Sequence, residues 1–158
     1  MRGLVVGAAA FSMALAACGG GAAQRTGTGG REPGTGAQGP GTVEIRAVEY
    51  AFEGVPASLP SGATTFVMRN VGQEPHMIFF VRIEGTDMSL EELFELSEKR
   101  SQKFVEEVGG IQQPVAAGKT GEVTLDLETG RYAYVCFVSA PDGDAHYAKG
   151  MFGELTVT

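Results

Sequence analysis

The sequence predicts a small all-β domain, a sandwich or barrel of short strands with one helical segment. Two observations support this fold class. From residue 42 onward, short runs of apolar residues alternate with polar ones, and turns rich in glycine and proline separate these runs. Much of the glycine lies before residue 42, so the N-terminal region is considered separately. With 158 residues, the chain has room for one modest domain rather than two.

The first 41 residues are predicted to target and tether the domain. Residues 3–17 are apolar and small, and this run is too short for a permanent membrane-spanning helix, so residues 1–17 are typical of a signal peptide. The stretch from Leu15 to Cys18 resembles a bacterial lipobox, which implies that Cys18 is acylated and anchors the protein to a membrane without spanning it. Residues 18–41 contain no large apolar side chain, and we interpret them as a flexible tether.

Residues 42–158 contain the strand patterns. The first alternating run extends from Val43 to Phe52, and the fifth run has the sequence RYAYVCFV. We expect strands at about 43–52, 64–70, 77–83, 122–127, 131–138 and 152–157.

One segment, at about residues 89–108, departs from the strand pattern. Its leucine and phenylalanine residues recur at helical spacing, and Ser89 followed by Glu92 forms a capping box. We expect a helix that packs on one end or side of the sheets, with a break near 97–102 and a stop at Gly109 and Gly110. It would cover an exposed sheet edge or barrel end. Partner docking is the alternative.

The formal net charge of −7 argues against a nucleic-acid partner, because phosphate contacts need clustered Lys and Arg. An acidic surface keeps a protein soluble and also suits a basic docking partner. We expect a monomer that contacts the membrane only through its lipid.

Four residues in the predicted domain carry metal-binding chemistry. The chain has only two histidines, His76 and His146, and Cys136 ends an apolar strand that a loop of nine residues separates from His146. Met151 follows shortly afterwards, where the chain returns to a strand. One thiolate, two imidazoles and a thioether match a trigonal copper site with a weak axial methionine.

Two motifs resemble those of the type 1 (blue) copper proteins of the cupredoxin family, which includes plastocyanin and azurin. The C-terminal motif is Tyr132-x-Tyr134-x-Cys136, then His146-x-x-x-Gly150-Met151-x-Gly153-x-Leu155-x-Val157, and the upstream one is Asn70-x-Gly72-x-x-Pro75-His76. The resemblance covers residues 42–158 apart from the helical segment. It implies a Greek-key β-sandwich that holds one copper ion cycling between Cu(I) and Cu(II).

By this resemblance His76, Cys136 and His146 are equatorial copper ligands and Met151 is the axial one, while Gly150 and Gly153 permit a tight loop. His146 would be partly exposed and would form the electron exit. The loop from cysteine to histidine is longer than in plastocyanin-like members. Met77 stands where plastocyanins and azurins usually have asparagine, which brings the redox tuning of the site into question.

Several functions are compatible with these residues. A catalytic cysteine–histidine pair would lack an orienting Asn or Asp and would leave Met151 unexplained, and zinc does not favour methionine. A copper oxidase or nitrite reductase needs further histidines, so we expect a protein that is not an enzyme. The main prediction is an extracytoplasmic single-electron carrier with a redox partner protein. The alternatives are a copper carrier or scavenger that serves a copper-handling protein, and a cupredoxin fold that has lost its metal.

Overall fold

In the computed structural model, which describes residues 41–158, nine strands form two sheets. The strands are β1 Gly41–Val48, β2 Ala51–Glu53, β3 Ser58–Leu59, β4 Gly62–Asn70, β5 His76–Ile83, β6 Val105–Val115, β7 Thr120–Leu127, β8 Gly130–Val135 and β9 Phe152–Val157. Two short helices, α1 Leu90–Glu95 and α2 Glu98–Ser101, follow β5, and a 3₁₀ turn covers His146–Lys149. Among residues 41–158, no helix has the length and apolar character needed to cross a bilayer.

The order of strands is β2-β1-β4-β7 in one sheet and β3-β9-β8-β5-β6 in the other. Strand β1 pairs in parallel with β4, and the short β3 pairs in parallel with β9. The other pairs are antiparallel. The predicted all-β sandwich is therefore confirmed.

The core lies between the two sheets, and alternation along the strands creates it. In β1 the apolar Ile45 is buried, while its neighbours Glu44 and Arg46 are exposed. Phe66 of β4 and Phe80 of β5 meet across the two sheets with ring centroids 4.5 Å apart. Their complete burial makes this contact the centre of the sandwich.

The first predicted strand is two strands in the structure. The chain turns at residues 49 and 50, so β2 folds back on β1 rather than continuing it. This turn carries Glu49 and Tyr50, which lie close to the predicted metal ligands.

The helical segment is shorter than predicted. The capping box at the start of α1 is present, since Ser89 accepts from the Glu92 amide and the Glu92 carboxylate accepts from the Ser89 amide. The predicted helix was wrong beyond residue 101, because the chain from Val105 enters β6 and pairs with β5. The β-branched valines there suit a pleated strand better than a helix.

Gly110 lies within β6 and does not end a helix. A Cβ atom at this position would lie 2.1 Å from the carbonyl oxygen of Ile78 in β5, so only glycine allows the two strands to approach this closely. The helices pack instead on the outer face of the five-stranded sheet, where Leu90 and Leu93 form a second apolar cluster with Ala133 and Val135.

Candidate metal centre

Three strand ends meet at one edge of the five-stranded sheet. Strands β5 and β8 are antiparallel, as are β8 and β9, so the start of β5, the end of β8 and the start of β9 lie together. His76 is the first residue of β5, Cys136 follows the last residue of β8, and Met151 precedes the first residue of β9. The topology therefore brings together residues that are far apart in sequence.

Backbone hydrogen bonds fix the loop from Cys136 to Met151. The Cys136 amide donates to the Met151 carbonyl (3.0 Å), and the Met151 amide donates to the His146 carbonyl (3.0 Å). The His146 amide donates to the Val138 carbonyl (2.8 Å). Gly150 ends the 3₁₀ turn with φ 104°, a left-handed conformation that favours glycine. The loop thus holds the three predicted metal ligands through its own backbone.

The donor atoms of His76, Cys136 and His146 converge on one point. All three lie within 4.8 Å of one another. Nδ1 of His146 is 3.1 Å from Nδ1 of His76 and 3.4 Å from Sγ of Cys136. These three residues and Met151 are completely buried. A buried thiol beside two imidazole nitrogens is a donor set that fits a copper ion, and the adjacent methionine suits a weak fourth ligand.

Burial changes the ionisation of this cluster. It raises the pKa of the Cys136 thiol, which the nearby backbone amides of Met77 and Val138 partly oppose. Burial and the adjacent His146 ring lower the pKa of His76, although Glu49 opposes this. Burial therefore favours the neutral forms of the Cys136 thiol and the His76 ring.

Comparison with solved structures supports the fold. Auracyanin from Roseiflexus castenholzii is 21% identical, with a TM-score of 0.51 over 74% of this chain and 96% of that one. Auracyanin A from Chloroflexus aurantiacus, described as a "blue" copper protein, is 24% identical, with a TM-score of 0.50 over 76% of this chain and 100% of that one. The chain has the cupredoxin fold. No protein-family model matches the sequence, and no curated protein matches it at a significant level.

His146 differs from what the resemblance to cupredoxins implies. It was expected to be partly exposed, but its side chain is completely buried. Glu74 lies 3.0 Å from its Nε2, the Tyr50 ring packs against it with centroids 5.0 Å apart, and Lys149 lies over Tyr50. The expectation of exposure was wrong because this cupredoxin fold covers the histidine with side chains from the β1–β2 turn and the β4–β5 loop.

Aromatic side chains lie beside the centre on the outer side of the sheet. Phe137 follows Cys136 in sequence and is 48% exposed. Tyr147 follows His146, and it contacts both Phe137 and Phe94 of α1. Together they border an apolar cavity of about 470 Å³ between the helices and the sheet. The helical segment therefore shapes the surface beside the candidate metal centre.

Sequence reasoning missed the carboxylates of Glu49 and Glu74, which lie near the two histidines. Glu74 precedes His76 by two residues, and this spacing is the one signal that could have drawn attention to it. Glu49 comes from a turn that the strand pattern did not show. Of the other residues considered, Met77 packs at the edge of the core, and Gly153 lies against the Tyr134 ring, where a side chain would not fit. Cys18, the predicted lipid site, lies outside the described residues.

Proposed function

We propose that the chain is a mononuclear type 1 copper protein that carries single electrons and is not an enzyme. The convergence of the buried donors of His76, Cys136 and His146 beside Met151 carries this proposal. Copper bound there would supply one-electron chemistry between Cu(II) and Cu(I), and a redox partner protein would exchange the electron.

The site suits electron transfer because strand pairing and backbone hydrogen bonds hold its residues in place. His76 belongs to a strand, and the loop from Cys136 to Met151 is closed by backbone hydrogen bonds. A ligand set that moves little keeps the reorganisation on electron transfer small. Complete burial of the donor side chains also favours electron transfer over a reaction that needs an open coordination position.

The proposed location is the outer face of a bacterial membrane. It rests on the apolar run of residues 3–17 and on the lipobox-like sequence that ends at Cys18. A lipid on Cys18 and a tether over residues 18–41 would keep the copper domain near its redox partner.

The site is tested by adding Cu(II) to the purified chain. We expect an intense thiolate-to-copper charge-transfer band that is absent in Cys136→Ser and unchanged in Cys18→Ser, which is the matched control. The copper proposal fails if the unmodified protein shows no such band and contains no copper after purification from copper-replete cells. Rapid, reversible reduction by a small donor and acceptor pair would support electron transfer.

Copper carriage or scavenging is the second candidate. The burial of His146 beneath Glu74 and Tyr50 favours it, because a metal in a covered site is retained. This role would require a copper-handling protein as partner. Very tight Cu(I) binding with slow redox cycling would support carriage, whereas fast electron exchange would exclude it.

A further inference from the structure

Both predicted ligand histidines turn their second ring nitrogen towards a carboxylate. Nε2 of His146 lies 3.0 Å from Oε2 of Glu74, and Nε2 of His76 lies 3.5 Å from Oε1 of Glu49. In both rings the other nitrogen, Nδ1, is the atom that faces the donor cluster. Each imidazole therefore lies between the centre and an acidic side chain.

The Glu49 carboxylate is held by the loop that leads to His76. Its Oε1 accepts hydrogen bonds from the backbone amides of Gln73 (2.5 Å) and Glu74 (2.9 Å). These bonds lower the pKa of Glu49. Gly72 leaves the space that the carboxylate occupies, since a Cβ there would lie 2.3 Å from Oε1. These hydrogen bonds and the space left by Gly72 therefore fix the position of the Glu49 side chain.

Hydrogen bonds hold Glu74 both at its carboxylate and at its backbone carbonyl. Its Oε1 accepts a hydrogen bond from the Tyr50 hydroxyl (3.2 Å), which leaves Oε2 directed at His146. The backbone carbonyl of Glu74 accepts from the Asn70 side-chain amide (2.7 Å), and that amide also donates to the Val115 carbonyl. The position of Glu74 is thus tied to the buried Asn70.

The Nε2 atom of His76 lacks a hydrogen-bond partner in the described part of the chain. It is buried and makes no hydrogen bond within residues 41–158, while Glu49 lies at 3.5 Å. A buried polar atom without a partner is costly, and a small tilt of the ring would bring Nε2 within hydrogen-bond distance of the carboxylate. This arrangement is explained if Glu49 orients the His76 ring so that Nδ1, on the other side of the ring, faces a metal ion.

We propose that Glu49 and Glu74 are positioning residues of the metal centre, each accepting the Nε2 proton of one ligand histidine. This assignment rests on one part of the proposed function, namely that a metal ion binds among these donors. With the proton on Nε2, the lone pair of each Nδ1 points into the donor cluster, where the two nitrogens are 3.1 Å apart. A carboxylate on the distal nitrogen also makes the imidazole a stronger base. The pair therefore favours Cu(II) over Cu(I) and lowers the reduction potential.

The test compares Glu49→Gln and Glu74→Gln in the full chain with Glu122→Gln, an exposed glutamate of β7, as the matched control. Glutamine keeps the size and the acceptor oxygen but removes the charge. We expect each site variant to lose at least about tenfold in Cu(II) affinity, measured by chelator competition, with a smaller loss for Cu(I). A tenfold change in the ratio of the two affinities corresponds to a rise of 59 mV in potential. Glu122→Gln should leave both affinities unchanged.

A change in stability alone does not move the ratio of the two affinities, so this ratio separates positioning from a merely structural role. The proposal is overturned if the site variants unfold more easily while the ratio stays within twofold of the unmodified protein.

A second measurement keeps this inference separate from the copper proposal. Zn²⁺ is diamagnetic and accepts a Cys-His-His donor set. In the Zn²⁺-loaded chain, nitrogen NMR should show the proton of both histidines on Nε2, with its signal shifted in each glutamine variant. If the chain binds Zn²⁺ in this way but takes no copper, the positioning role holds and the proposed function fails. Protons on Nδ1, or no binding of either metal, would overturn the positioning role.

Discussion

Replacing Gly72 with alanine tests whether the Glu49 carboxylate belongs where the structure places it. The added Cβ would lie 2.3 Å from Oε1 and 2.7 Å from Oε2 of Glu49, well inside ordinary contact distance. Because the carboxylate is the end of a flexible side chain, Glu49 can move away. The cost is therefore not the clash but the loss of two hydrogen bonds from the amides of Gln73 and Glu74.

The expected magnitude follows from those two bonds. A hydrogen bond to a charged group contributes about 1.5–3 kcal/mol when its loss is not compensated. Because Glu49 is exposed, water forms hydrogen bonds with the displaced carboxylate and compensates for part of this loss. We therefore expect a decrease of about 1–2 kcal/mol in the free energy of unfolding. Replacing glycine with alanine also stabilises the protein by about 0.4–1 kcal/mol, because alanine reduces the conformational entropy of the unfolded chain. The net destabilisation by Gly72→Ala should be about 1 kcal/mol.

A double-mutant cycle makes the test independent of that small net value. In a Glu49→Ala background there is no carboxylate to displace, so Gly72→Ala should be neutral or stabilising. Urea unfolding of the metal-free chain measures all four proteins, with an unchanged slope as the check on two-state behaviour. Equal destabilisation in both backgrounds would refute the reasoning, because the cost would then arise elsewhere in the loop.

Three further substitutions test other parts of the molecule. Gly110→Ala should destabilise the domain by at least about 3 kcal/mol or prevent folding, because its Cβ meets the Ile78 carbonyl, whereas Gly41→Ala, with no neighbour within 4 Å, should change the urea midpoint little. Leu93→Ala should cost about 2–4 kcal/mol in urea unfolding, since Leu93 is buried beneath the helical segment, and a cost below 1 kcal/mol would mean that this segment is not packed on the sheet. Cys18→Ser should move the protein from the membrane to the soluble fraction on cell fractionation, and continued membrane association would contradict the lipid anchor.

Most of the sandwich was predictable because apolar, buried residues alternate with polar, exposed residues along its strands. β9 coincides with the predicted 152–157, and β4, β5 and β7 extend their predictions by a few residues at most. The start of β6 was not predictable, because Phe104, Val105 and Val108 also fit the helical spacing that begins at Leu90. Pairing with β5 decides the conformation there, and a local pattern cannot show that pairing.

Two motifs predicted the four residues of the candidate metal centre, but neither motif showed the side chains that surround them. Cys136, His146 and Met151 follow one another in a short loop, whereas His76 joins them through strand pairing. The covering of His146 depends on Tyr50 and Glu74, which reach it from two other connections. Contacts between loops of different sheets leave no periodic trace in the sequence, so neither the buried imidazole nor its carboxylate could be foreseen.

Strands β8 and β9 follow the other strands of the domain in sequence, and this order determines when the predicted ligands can come together during folding. Three of the four donors lie between the end of β8 and the start of β9, and the short β3 obtains its parallel partner only from β9. A growing chain that has reached residue 129 contains His76 but none of the other three donors. Because contacts distant in sequence form only after the costly closure of long loops, the ligand set assembles with the last strands. A metal ion that uses all four of these donors would therefore bind only after β8 and β9 have taken their places in the sheet.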